Sequence, residues 1–243
     1  MPILLLAPHF DDAALSCSAL LDGHGPIDVV TVFAGAPEPP VRGYWDELSG
    51  FADSAESAAA RSAEDAAALA AGGHRLVYLP LLEDQYGGER GDAEAAQIQA
   101  AVTNWAAEHP PGLVALPVGA GWRAPRAVRA LLRRLGRGRV TPHPDHVFVR
   151  DAALGALANA AWTPLLYEEQ PYDRGGGATR EASRLAAALG RRAVEVVLDV
   201  DREAKARRIA HYASQVALIS PPEGRLDDPS SLATTERYWL FEP

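Results

Sequence analysis

The sequence has a single cysteine, Cys17, so no disulfide can form within the chain. It has no apolar run near the roughly 18 residues that a membrane-spanning helix needs. The opening Met1-Pro2-Ile3-Leu4-Leu5-Leu6 is too short for a secretory signal and lacks its basic front end. Positive charge is also scarce: 23 basic against 32 acidic residues give a net −9. Such a chain has no overall field to hold a polyanion, which disfavours a nucleic-acid role. No Gly-x-Gly-x-x-Gly turn follows the first apolar run, which argues against a dinucleotide-binding module. There is no internal repeat and no linker, and Gly175–Gly177 reads as a loop within one domain. These absences point to the reducing cytoplasm, with no membrane and no nucleic-acid partner. Whether copies assemble into a homo-oligomer is left open.

What is present is an apolar share of 48% over 243 residues, enough for one large α/β domain spanning 1–243. Strand-like runs fall at Ile3–Pro8, Ile27–Phe33, Arg75–Leu81, Leu113–Val118, Leu165–Glu168 and Val194–Val200. Several are apolar throughout, as strands covered on both faces are. Between them, helical spacing marks Asp53–Ala71, Asp92–Glu108, His146–Ala160, Ala178–Leu189 and Asp201–Ser214, and Ala13–Leu21 also reads as helix. The last ~20 residues read as irregular. Alternating strands and helices predict an α/β fold, a mostly parallel sheet with helices on both faces. In such sheets a ligand sits beyond the carboxyl ends of the strands.

Two clusters fall at such ends. The first strand runs into His9-Phe10-Asp11-Asp12, and after the fourth comes His143-Pro144-Asp145-His146. Imidazole and carboxylate without thiolate suit zinc or another borderline divalent ion such as iron(II). Each cluster alone has an ordinary reading, because Asp11 or Asp12 suits a helix N-cap and a histidine can bond to backbone. Together they make a composite site, and three protein ligands plus water is how catalytic zinc is held.

The ordered set resembles the PIG-L (LmbE-like) zinc N-deacetylases. His9-Phe10-Asp11-Asp12 is similar to their His-Pro-Asp-Asp signature, and His143–His146 to their later His-x-Asp-His. Thr31–Gly35, Arg61-Ser62-Ala63-Glu64-Asp65, Tyr167–Tyr172 and Tyr212–Gln215 resemble further family segments. The resemblance implies a Rossmann-like fold and hydrolysis of an N-acyl, above all N-acetyl, amino sugar or glycosylated small molecule. By motif position it implies His9, Asp12 and His146 as zinc ligands, Asp11 as general base and His143 beside the developing oxyanion. Asp145 would then hold His143 or His146 from behind. The sequence departs from the pattern at Phe10, which replaces the usual Pro, and at Ala13, which replaces a frequent Glu. Ser16 and Ser18 stand where glycines are frequent.

On the substrate side, the resemblance implies that Arg61 touches the sugar; the alternative is an exposed ion pair with Asp65. Glu83 or Asp84 would accept from sugar hydroxyls, or form a solvated turn. Trp45 and Tyr172 would stack on the sugar, or lie over the core. Cys17 reads as a small buried hydrophobe, and His24, His74 and His109 as solvated. Trp122–Val140 carries seven arginines and reads as a segment inserted at 122–140, either a lid over the site or a solvated helix. Two other functions stay open: an amidase acting on a larger thiol conjugate or natural-product precursor, and a zinc-binding pseudo-enzyme.

Overall fold

Ile3–Ala7 form β1, buried at every position, and its alternating side chains feed two separate cores. The coordinates are a computed structural model describing residues 1–87, 90–120, 142–158, 161–171 and 177–243. The Arg-rich segment 122–140 and Tyr172 lie outside the described residues. The other strands are β2 (Asp28–Thr31), β3 (Arg75–Tyr78), β4 (Leu113–Pro117), β5 (Thr163–Tyr167), β6 (Arg192–Asp199) and β7 (Thr235–Glu242). They make one sheet in the order β3-β2-β1-β4-β5-β7-β6. Strands β1 to β5 pair in parallel, with Leu5 beside Val29 on one side and Ala115 on the other. β7 runs antiparallel to both β5 and β6.

Among the described residues the α-helices are α1 (Asp12–Ser16), α2 (Ser18–His24), α3 (Tyr44–Ser49), α4 (Ser54–Leu69), α5 (Asp92–Glu108), α6 (Pro144–Gly155), α7 (Ala178–Ala188), α8 (Arg202–Ile209) and α9 (Ala213–Ile219). On one face Ile3, Leu5 and Ala7 meet α1, α2, α4, α8 and α9. On the other, Leu4 and Leu6 meet α5, α6 and α7. Each fully buried leucine of β1 contributes about 1.5–3 kcal/mol by leaving water. That two-faced burial is why β1 is apolar without alternation. Helix starts are chemically marked: Asp53 accepts from the Ala55 and Glu56 amides at 2.9 and 3.0 Å, as an N-cap does.

Four expectations are corrected. The C-terminal stretch is not irregular: residues 235–242 form β7, sandwiched between β5 and β6. The helix expected over Ala13–Leu21 breaks at Cys17, because Glu236 of β7 accepts from the Ser18 and Ala19 amides at 3.0 and 2.9 Å and starts a new helix there. The same carboxylate takes the Tyr238 hydroxyl and Nζ of Lys205, both at 2.7 Å. Lys205 is the sole lysine of the sequence and is fully buried. Likewise Asp201–Ser214 is two helices, α8 and the start of α9. His74 is not simply solvated either: its Nδ1 accepts the Ile27 amide at 3.3 Å at the start of β2.

Candidate metal centre

Strand order reverses between β1 and β4, so the chains leaving their carboxyl ends diverge and open a crevice. His9 and Asp12 leave β1 there, and His143 to His146 enter α6 beside them. Asp12 folds back so that its Oδ2 accepts the His9 amide at 2.8 Å, which fixes the turn. The same Oδ2 lies 3.3 Å from His9 Nδ1 and 3.4 Å from His146 Nε2. His9, Asp12 and His146 each offer a ligand atom within 4.8 Å of the others.

The residues fit a divalent ion. Two donors about 2.0–2.1 Å from a tetrahedral zinc stand about 3.3 Å apart, which is the spacing of both histidine nitrogens from Asp12. A second group, His9, His143 and Asp145, is equally close-set. Its Asp145 is already engaged by Arg90, whose Nε donates to Oδ1 at 2.9 Å, so the first set is the better match. The expected ligands are therefore brought together by the fold.

The outer nitrogens have their own carboxylates. His9 Nε2 is 3.0 Å from Asp145 Oδ2, and His146 Nδ1 is 3.3 Å from Glu169 Oε1. With N–H on those atoms, His9 presents Nδ1 and His146 presents Nε2 to the space between them. Asp145 thus backs His9, a correction to the expectation that it would hold His143 or His146; its Oδ2 stands 4.0 Å from His143 Nδ1. Burial opposes the charge of Asp12, but His146 and His9 outweigh it and hold the carboxyl down to about 2. Burial likewise opposes Asp145, and contact with His9, then His143 and Arg90, holds it well below the usual carboxylate range.

Asp11 occupies the N-cap position of α1, yet its side chain makes no capping bond and pairs with no other side chain among the described residues. Burial, then the charge of Asp12, raises its pKa. His143 is the N-cap of α6, where its Nδ1 accepts the Asp145 amide at 3.3 Å and Pro144 supplies the first helical residue. The neutral ring then carries its proton on Nε2. Desolvation, then repulsion from His9 and His146, pushes its pKa down to about 3.

Around this core, Arg61 is buried, lies 5.4 Å from the Phe10 ring centre, and ion-pairs with Glu83 rather than Asp65. Phe10 therefore supplies a face for Arg61 that a proline would not. Gln85 donates to the other Glu83 oxygen at 2.7 Å, and the Asp84 amide reaches Asp145 Oδ2 at 3.4 Å, so this turn borders the centre. Trp45 is half-buried; its indole donates to Gln215 and its ring rests on the apolar core, which matches the reading of a cover for the core.

Two site residues escaped the sequence reading. Arg90 lies 4.1 Å over the Phe33 ring and neutralises Asp145, and nothing local in the sequence marks it. Glu169 follows the carboxyl end of β5, where an acid beside two metal-like clusters was a usable signal.

These features define an α/β protein with a candidate histidine–carboxylate metal centre at its topological switch point. It has the fold of the PIG-L (LmbE-like) zinc deacetylases. No protein-family model matches the chain, and no curated protein matches it by sequence. Among solved structures it is similar to the zinc-inhibited form of teicoplanin deacetylase Orf2, at 23% identity over 99% of this chain and 98% of that one, with TM-score 0.71. The deacetylase Dbv21 of the A40926 pseudoaglycone matches at 24% identity over 99% and 96%, with TM-score 0.70. GalB, a 4-carboxy-2-hydroxymuconate hydratase from Pseudomonas putida KT2440, matches at 14% over 100% and 97%, with TM-score 0.59. Deacetylases and a hydratase share this fold, so activity has to be argued from the site.

Proposed function

We propose that the protein is a zinc-dependent N-deacetylase that removes the acetyl group from an amino sugar carried on a glycosylated small molecule. The observation that carries this reading is the spacing of His9 Nδ1 and His146 Nε2 about Asp12 Oδ2, beside Asp11, whose side chain has no pairing partner among the described residues. Two of the similar structures are of deacetylases acting in glycopeptide-antibiotic chemistry, which supports an amino-sugar substrate.

His9, Asp12 and His146 would hold the ion. When bound, zinc supplies Lewis acidity at the scissile amide and makes a water molecule acidic near neutral pH; iron(II) would serve the same donors. Asp11, raised by burial, takes the proton of the attacking water and returns it to the departing nitrogen. His143 Nε2–H donates to the carbonyl oxygen as charge gathers there. Arg61 and Glu83 face sugar hydroxyls from the side of Asp11. Both remain assigned to substrate binding, whereas Trp45 is reassigned to covering the core.

The test is a panel of N-acetyl amino sugars, free, on aglycones and as thiol conjugates, assayed for released acetate with wild type, Asp11→Asn and Asp12→Ala. Acetate release by wild type is expected, with Asp11→Asn keeping one zinc while losing ~100-fold or more in turnover. Asp12→Ala should lose the metal. Acetate release that survives Asp11→Asn undiminished would remove Asp11 from the mechanism. Zinc without acetate release from any member of the panel would favour a pseudo-enzyme, and release only from thiol conjugates would favour the amidase reading.

A further inference from the structure

Glu169 sits just beyond the carboxyl end of β5, 5% exposed, and belongs neither to the ligand set nor to the substrate contacts above. Its Oε1 serves two donors from different parts of the chain: the Gly119 amide at 2.8 Å and the Nδ1 side of His146 at 3.3 Å. Gly119 reaches this position with φ of +58°, and a Cβ there would stand 2.8 Å from Arg150 Nη1, so the backbone that meets Glu169 requires glycine. Arg150, fully buried, takes the Val118 carbonyl from behind at 2.6 Å. The carboxylate is therefore anchored on a rigid end of β4, not on a mobile side chain.

Its second oxygen, Oε2, is buried without a hydrogen-bond partner among the described residues. A buried carboxylate oxygen left so is costly unless positive charge is placed against the group. The comparison within the site is with Asp145, which backs His9 but is neutralised by Arg90. Glu169 has no arginine or lysine partner among the described residues, and the group it meets is the His146 ring.

Resting on the metal-centre reading, we propose that Glu169 is a positioning residue for the ion. It holds the proton on His146 Nδ1, turns Nε2 towards Asp12, and leaves its own charge to be compensated by the metal through the imidazole. The two histidines are thereby fixed in opposite tautomers, His9 donating Nδ1 and His146 donating Nε2. Carboxylates that back metal histidines in this way typically change metal affinity by about 10–100-fold when removed.

Zinc affinity by competition with a chromophoric chelator, and ring nitrogen shifts of His146 in the metal-free protein, test this in wild type, Glu169→Gln and Glu169→Ala. Glutamine keeps an acceptor for Nδ1–H and for the Gly119 amide but removes the charge. Glu169→Gln is expected to keep the Nδ1–H tautomer and the metal-free melting temperature while binding zinc about 10-fold more weakly. Glu169→Ala should lose the tautomer as well and bind up to about 100-fold more weakly. A purely structural role would lower the metal-free melting temperature and leave the affinity of Glu169→Gln unchanged, and that result would overturn the proposal. Wild type with Nε2 rather than Nδ1 protonated would also overturn it. Wild type that takes up no zinc would sink the metal-centre reading and this proposal together, whereas equal zinc affinity in all three proteins would sink this proposal alone.

Discussion

Asp65 shows how burial sets chemistry one residue at a time. It is completely buried on α4, and the hydroxyls of Tyr212 and Tyr78 donate to it at 2.7 and 3.1 Å. Burial outweighs those bonds, and Asp11 adds to it, so the carboxyl is pushed up from 3.8 to about 7. The folded protein then keeps a proton that the unfolded chain releases above about pH 4. Stability from the neutral carboxyl is complete below that pH and is lost as pH rises through 7. Urea titrations at pH 4.5 and 7.5 should show wild type losing more stability than Asp65→Asn, by an amount on the order of 1–4 kcal/mol. Parallel pH responses in the two proteins would show that Asp65 is ionised throughout. At this scale the sequence was most legible where a residue's role lies within its own motif. His9, Asp11 and Asp12 share one turn, and His143, Asp145 and His146 share another. The partners of those residues were hidden: that Asp145 meets His9, 136 positions away, is a fact of packing and not of spacing.

Among the elements, β7 was the one the sequence concealed. Thr235–Glu242 mixes three charged residues with three aromatics, and its charges make it read as surface. Glu236 is nevertheless buried, because its four donors come from residues 18, 19, 205 and 238, three of them distant in sequence. β1, by contrast, was plain, since strands covered on both faces are apolar throughout. The Glu236 network joins β7, α2 and α8, and removing its charge alone leaves Lys205 buried without a counter-ion. Glu236→Ala should therefore cost about 3–5 kcal/mol in denaturant unfolding. Pairing Glu236→Leu with Lys205→Met should recover most of that loss, because two apolar groups of similar size avoid the desolvation of both charges. A double variant as unstable as the single one would mean that the network's value lies in capping α2.

For the whole molecule, an ion held by His9, Asp12 and His146 would couple the two halves of the sheet, since those residues come from the end of β1 and from the helix that follows β4. Anything that binds the folded state and not the unfolded chain stabilises it by mass action. With zinc at about 100 times its dissociation constant, the gain is about 2.7 kcal/mol. For a chain of this size that corresponds to a melting temperature about 5–10 °C above that of chelator-treated protein. Equal melting curves with and without zinc would show that no such coupling exists. The sheet order carries a last consequence, for the order in which the protein is made. Among the described residues β6 pairs with β7 alone, along all eight of its positions, and β7 is synthesised later. At ribosomal speed the 36 residues from Asp199 to Thr235 take about 2–7 s to appear. For that time Val194, Val196 and Val197 belong to a strand with no neighbour, so the nascent chain is most open to chaperone capture, or to sticking to another chain, at β6.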